Sequence, residues 1–313
     1  MQRIITDFGA DVPFGRIPKK LQEHYGITVP ISSAQMITQN HASLIFQGQD
    51  TKTQIPHLKG VDKLIVQMDG SMIPIVETRL PTAAPEKLDR RKTRTVGWRE
   101  ARLCLARPHG CVKPIFGATL GTVDEAGNQL INSAIRSGLG FSTRIHGVGD
   151  GAPWIATQVE RSFGRQGTYL IDFYHLCDYL AAASERCAPK HSKSWMQQQK
   201  RNMKANRLTE VLAALEPHME SERLSDYKTP VRACYRYLSN RPGQFDYESA
   251  IAANLPIGSG EIESAHRYVI QERLKLSGCW WKLENATTML ALRVLRANGD
   301  WDTYWQIRSV AIA

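Results

Sequence analysis

Carboxylates at three places, far apart in the chain, are of the type and setting that do chemistry. Asp69 lies in residues 64–76, LIVQMDGSMIPIV, between Leu64-Ile65-Val66 and a second apolar run from Ile73. Such β-branched runs have the pattern of a buried strand. A carboxylate inside one must be paired, hydrogen-bonded or on a metal. The plain alternative for Asp69 is a surface aspartate at a strand end. Asp150 closes a short run, RIHGVG, and Glu261 and Glu263 follow the tight loop PIGSG. Helical positions two apart point about 200° apart, so only one of these glutamates can face a common site. If the strands bearing Asp69 and Asp150 are neighbours, both carboxylates meet where ligands of open α/β sheets collect. Three carboxylates can hold two Mg²⁺ (or Mn²⁺) ions. Such a pair activates a water or a 3′-hydroxyl and stabilises the leaving oxygen of a phosphodiester.

The charge balance agrees with a polyanionic partner. Lysine and arginine number 40 against 30 aspartate and glutamate, for a net charge of +10 over 313 residues. The first expectation from that balance is nucleic acid, and the second an anionic membrane surface. No run is apolar enough to span a membrane, and the start is not a signal peptide. The expectation is a soluble, cytoplasmic protein. The six cysteines form no Cys-x-x-Cys pair and read as reduced structural thiols.

The elements that must position these groups follow from periodicity. Residues 1–17, with Gly9, Pro13 and Gly15, read as loop. Residues 19–25 and 32–41 read as helices about a Gly26 turn, with Ser32 or Ser33 as N-cap. The pair is compatible with a helix-turn-helix or with ordinary packing. Strands are expected over 62–76, 98–106, 113–120, 144–149 and 169–171, and helices over 124–137 and from Pro153. Residues 79–95 form a loop with Arg90, Arg91, Lys92 and Arg94, either a DNA contact or a solvated charge run. The first three strands can be an antiparallel meander, whereas the later ones need crossovers and are parallel. Helices then cover 176–186, 194–215 and 220–240, a basic block, followed by 261–276 and 284–298.

Several longer segments carry a family resemblance. GDGAPWI at 149–155, DFYHLCDYL at 172–180 and PIGSGEIESAHRYVIQERLKLSGCWW at 256–281 resemble the ISKra-type insertion-sequence transposases, as does the terminal ENATTMLALRVLRANGDWDTYW. Asp172-x-x-His175 is similar to a step in Mutator-like transposases. The resemblance covers about residues 60–306. It implies a DDE transposase with a ribonuclease-H-like α/β fold: a mixed five-stranded sheet flanked by helices, with a helical insertion before the last catalytic helix. It implies catalytic and metal-binding roles for Asp69, Asp150 and Glu263, with Glu261 at a variable position. The implied partners are DNA, as transposon ends and target, with no membrane. The implied form is a homo-oligomer on DNA, in a prokaryotic cytoplasm and nucleoid-associated when bound. The corresponding division is an N-terminal helical segment over 1–60, a core over 61–175, an insertion over 176–255 and closing helices over 256–313. Family members carry a longer DNA-binding region ahead of the strands, so the sequence has the pattern of a truncated copy. The alternatives in function are a nuclease or resolvase of the same fold that only hydrolyses, and a non-enzymatic DNA-binding remnant.

Most of the remaining candidates have two readings. His175, with Asp172 as a second accessory residue, could steer a phosphate or a metal-bound water, or hydrogen-bond at a strand end. Lys200, Arg201 and Lys204 form a DNA-facing surface in the insertion. Arg273 and Lys275, about three turns beyond Glu263, face DNA phosphates or are plain surface. Trp280 and Trp281 stack on a displaced base or pack the last helix.

Overall fold

The computed structural model describes residues 1–78, 93–225 and 228–310. Three helices, α1 (Gln2–Asp11), α2 (Ile17–Tyr25) and α3 (Ile31–Gln47), lead into the sheet strands β1 (Lys63–Thr78), β2 (Arg94–Pro108) and β3 (Ile115–Thr119). Next come α4 (Val123–Arg136), β4 (Arg144–Gly149), α5 (Pro153–Phe163) and β5 (Gly167–Ile171). The sheet order is β3-β2-β1-β4-β5. β1, β2 and β3 form an antiparallel meander, while β4 runs parallel to β1 and β5 parallel to β4. The protein is thus a mixed α/β structure with a five-stranded mixed sheet flanked by helices.

Strand alternation sorts the core into two layers. Leu64, Val66, Met68, Cys104 and Ala106 pack under α4 and α5. Ile73, Ile75, Leu103 and Leu105 face the N-terminal and C-terminal helices on the other side. Local signals set the crossovers. Thr122 and Glu125 close a reciprocal capping box on α4. Pro153 sits in the first turn of α5.

An insertion follows β5, comprising α6 (Phe173–Cys187), α7 (Ser192–Lys204), α8 (Leu208–Leu215), α9 (Pro230–Ser239) and α10 (Tyr247–Ala252). It has its own core, built on Leu170 and Ile171 of β5. The chain returns through α11 (Gly260–Ala265), a π-helical turn His266–Gln271 and α12 (Glu272–Leu274). It closes with α13 (Leu283–Ala297) and α14 (Trp301–Val310).

Several expectations are corrected. Residues 2–11 are helical, because Gly9 is a packing residue and not a breaker. A Cβ there would lie 2.2 Å from the Thr38 hydroxyl, so glycine lets α1 approach α3. α3 starts at Ile31 behind Pro30, without a serine cap. The expected helix over 194–215 breaks at Asn206, whose φ of 55° is left-handed and whose amide donates to Asp246 over 2.6 Å. The expected helix over 220–240 begins only at Pro230. Glu220 there accepts the first-turn N–H groups of Val231 and Arg232 at 3.1 and 2.9 Å. β1 and β2 extend further than the pattern indicates, to Thr78 and from Arg94, so Arg94 is a strand residue. Arg90, Arg91 and Lys92 lie outside the described residues. α1 and α3 share one hydrophobic core with the sheet and α13, while α2 packs in a smaller cluster with them. All six cysteines are unpaired. Among the described residues no helix is long and apolar enough to cross a membrane.

Candidate active site

β1 is the central strand, and its odd-numbered side chains from Gln67 onward face the helices that follow the insertion. Gln67 ties that return segment to the sheet. Its side-chain oxygen accepts the Ile262 N–H at 2.9 Å, and its amide reaches the Gly258 carbonyl at 3.4 Å. Asp69 comes two positions later on the same face. Its Oδ1 accepts the Gly70 N–H at 2.7 Å, and its Oδ2 lies 3.4 Å from Nε2 of His266. Burial, then the negative charges of Asp150, Glu263 and Glu100, push its carboxyl up to about 6 against the Gly70 hydrogen bond. Asp150 and Glu263 are thus near enough for their charge to act on Asp69. So is Glu100 on β2, which is held by an ion pair with Arg102.

Asp150 follows the C-terminal end of β4, next to β1. Its Oδ1 accepts the Ala152 N–H at 2.8 Å. The insertion grips its backbone from the other side. Tyr237 of α9 donates its hydroxyl to the Asp150 carbonyl at 2.7 Å, and Arg241 donates to the Gly151 carbonyl at 2.9 Å. Gly151 has φ of 87°, and a Cβ there would lie 2.7 Å from the Tyr237 hydroxyl. Conformation and close approach both require glycine in the Gly-Asp-Gly segment. Tyr237 stacks on Tyr179, and the His175 ring rests beside both. His175 is thus part of an aromatic cluster behind Asp150.

Glu263 and Glu261 part company as helical phase requires. Glu261 takes a two-pronged bond from Arg107 Nε, at 3.0 and 2.9 Å. Glu263 is exposed and contributes to the charge felt by Asp69. One turn on, His266 opens the π-helical stretch. It is buried, neither ring nitrogen has a hydrogen-bond partner, and burial lowers its pKa to about 4. At neutral pH it is an uncharged neighbour of Asp69, not a counter-ion.

Asp172 is structural as placed. Its Oδ1 caps α6, accepting from Tyr174 and His175 N–H at 2.6 and 3.0 Å. Its Oδ2 accepts both the N–H and the hydroxyl of Ser259 at 2.6 Å. Every one of these bonds goes to the protein itself, which fixes the PIGSG loop on β5.

The basic and aromatic candidates divide. Arg201 and Lys204 are exposed, although Lys204 Nζ also sits 4.8 Å over the Phe173 ring. Lys200 is half-buried beside Cys177. Lys275 is exposed. Arg273 does not face a surface phosphate: it is 1% exposed, donates to the Gly9 carbonyl and lies over Phe14 and Trp281. The extra residue of the π-helical turn offsets the phase of the helix and turns Arg273 inward. Trp281 is likewise buried, packed on Phe14 and bridged to Ile75, so it cannot stack on a base at the surface. Trp280 is exposed.

Asp69, Asp150 and Glu263 offer only hard oxygen donors and repel one another, which suits a hard divalent cation. As they stand, no three His, Cys, Asp or Glu side chains among the described residues converge closely enough to hold an ion. Sequence reasoning missed Gln67, Glu100, Tyr237, Arg241 and His266. Two of these were marked: Gln67 is a polar residue inside an apolar strand, and His266 lies three after Glu263 on a helix.

Residues 142–307 match the sequence pattern of an uncharacterised protein family, UPF0236, over just over half of the chain, and the chain belongs to that family. The match includes Asp150, Asp172 and Glu263 and leaves Asp69 outside. No curated protein matches the chain.

Proposed function

We propose that this UPF0236 member is a DDE transposase that cleaves DNA at insertion-sequence ends and joins the freed 3′ end to target DNA. The observation that carries the reading is the charge that Asp150 and Glu263 exert on Asp69. Asp69 comes from the central strand, Asp150 from the end of its parallel neighbour and Glu263 from the helix after the insertion, and the last two raise the Asp69 pKa. The five-stranded mixed sheet and the helical insertion before the glutamate helix agree with the ribonuclease-H-like core that the motifs imply. The net charge of +10 suits a DNA partner.

In this reading Asp69, Asp150 and Glu263 would hold two Mg²⁺ or Mn²⁺ ions. Such a pair, when bound, activates a water or 3′-hydroxyl and stabilises the leaving oxygen. The protein's own part is positioning. Gly70 fixes one oxygen of Asp69, Tyr237 and Arg241 hold the carbonyls of Asp150 and Gly151, and Gln67 fixes the start of the glutamate helix. Exposed cations such as Arg201 and Lys275 would take backbone phosphates.

One observation favours a second reading, a non-enzymatic DNA-binding remnant: the described side chains form no converged ion site. The discriminating experiment offers an element-end duplex and a target duplex with Mg²⁺. Cleavage with strand transfer supports the transposase, and cleavage alone indicates a hydrolytic nuclease or resolvase of the same fold. Metal-independent binding with no cleavage leaves the remnant.

A further inference from the structure

Where the ends of β1 and β2 meet the end of the glutamate helix, Arg94, Arg273, Trp280, Trp281 and Lys282 border a cavity of about 490 Å³. That volume falls within the range of ligand pockets, roughly 300–1,000 Å³. Two donors of its lining side chains have no acceptor: Arg273 Nη2 and Trp281 Nε1 are buried and make no hydrogen bond. Arg273 is otherwise fixed. Its Nε donates to the Gly9 carbonyl at 2.9 Å, and its guanidinium lies 4.8 Å from the Phe14 ring centre and 4.7 Å from that of Trp281. Buried donors without partners are rare, and each calls for an acceptor. Among the described residues the lining holds three cationic side chains and no carboxylate. The acceptor that suits it is anionic. Trp280 adds an indole that is 55% exposed, a surface on which a planar base can stack.

We infer that this cavity takes one phosphate-bearing nucleotide of a single DNA strand. The inference rests on the nucleic-acid reading above. It places the nucleotide about 15 Å along the helical run from Glu263, with phosphate oxygens toward Arg273 and Lys282 and the base against Trp280. Burial of Arg273 excludes a phosphate contact on the outer helix surface, and its side chain lines the cavity instead.

The test uses the full chain in EDTA, so that the carboxylate site plays no part. Tryptophan emission is titrated with pentathymidylate, thymidine monophosphate and inorganic phosphate, and duplex DNA binding is measured in parallel. Pentathymidylate should quench part of the emission, and inorganic phosphate should compete. Trp280→Ala should remove that quench, and Lys282→Ala and Arg94→Ala should each weaken pentathymidylate about three- to tenfold. All three side chains are exposed, and unchanged melting curves show that the variants keep the fold. Quench and affinity left unchanged by Trp280→Ala and Lys282→Ala, with duplex still bound, would overturn the cavity and leave the DNA reading standing. Loss of both single-strand and duplex binding in the wild type would overturn the two together. Thymidine monophosphate binding as tightly as the pentamer would overturn the assignment to a strand.

Discussion

The hydroxyl of Tyr237 donates to the carbonyl oxygen of Asp150 at 2.7 Å, so a helix of the insertion holds the backbone of a strand-end carboxylate. A net hydrogen bond of this kind contributes about 1 kcal/mol. Tyr237→Phe keeps the stack on Tyr179 and should lower the melting temperature by about 2–4 °C. In a cleavage assay it should also raise the Mg²⁺ concentration needed for half-maximal rate. Calorimetry and a metal titration check both. A stability loss with an unchanged metal requirement would make the bond purely structural.

Asp150→Asn preserves size and hydrogen bonding while removing one charge of the site. Cleavage of an element-end duplex should fall at least about 100-fold in Mg²⁺, as expected when a metal ligand is lost. DNA affinity should stay near wild type. The wild type is assayed first under the same conditions. Retained cleavage in the variant would remove Asp150 from the catalytic set.

Asp69 and His266 pull stability in opposite directions with pH. Asp69 has its carboxyl raised to about 6, so its favourable share is full below its unfolded pKa near 4 and is lost as pH rises through 6. His266 is lowered to about 4, so its share is full above its unfolded pKa near 6.5 and is lost as pH falls through 4. Between these limits the two slopes oppose each other. Asp69→Asn removes one of them. The metal-free variant should match wild type near pH 4 and exceed it at pH 7 by on the order of 2 kcal/mol. Thermal melts in EDTA across pH 4–7 test this, and a variant less stable than wild type at pH 7 would contradict it.

Much of the fold was legible because burial follows period. The strand that carries Asp69, the strand end before Asp150 and the split between Glu261 and Glu263 come from alternation and helical phase alone. Other features depend on contacts between distant residues, which one-dimensional patterns do not carry. Gly9 looked like a helix breaker until Thr38 was against it, and Arg273 looked solvent-facing until the π-helical turn offset its phase. Tyr237 sits in an apparently ordinary amphipathic helix, and Arg241 just past its end. Only the return of the insertion to β4 shows what they hold.

DNA affinity should fall steeply with salt, since each neutralised phosphate releases condensed counterions. Charge reversal at Lys200, Arg201 and Lys204 should weaken binding without changing metal affinity. Arg201 and Lys204 should dominate, because Lys200 is half-buried against Cys177. Filter binding over a salt series, with each single variant, resolves the three contributions. A salt-independent affinity would exclude the insertion as a DNA surface.

Asp172, just after β5, and Ser259, just before α11, are joined by two 2.6 Å hydrogen bonds. The insertion thus leaves and re-enters the fold at a single point, like a loop of thread knotted at its base. Residues of the insertion other than those that hold Asp150 and Gly151 or cover Leu170 and Ile171 can change without moving this junction. That junction is where a shortened insertion could be rejoined and where one from another family member could be transplanted. The outer surface of the insertion can then vary while Asp69 and Glu263 keep their places on β1 and α11.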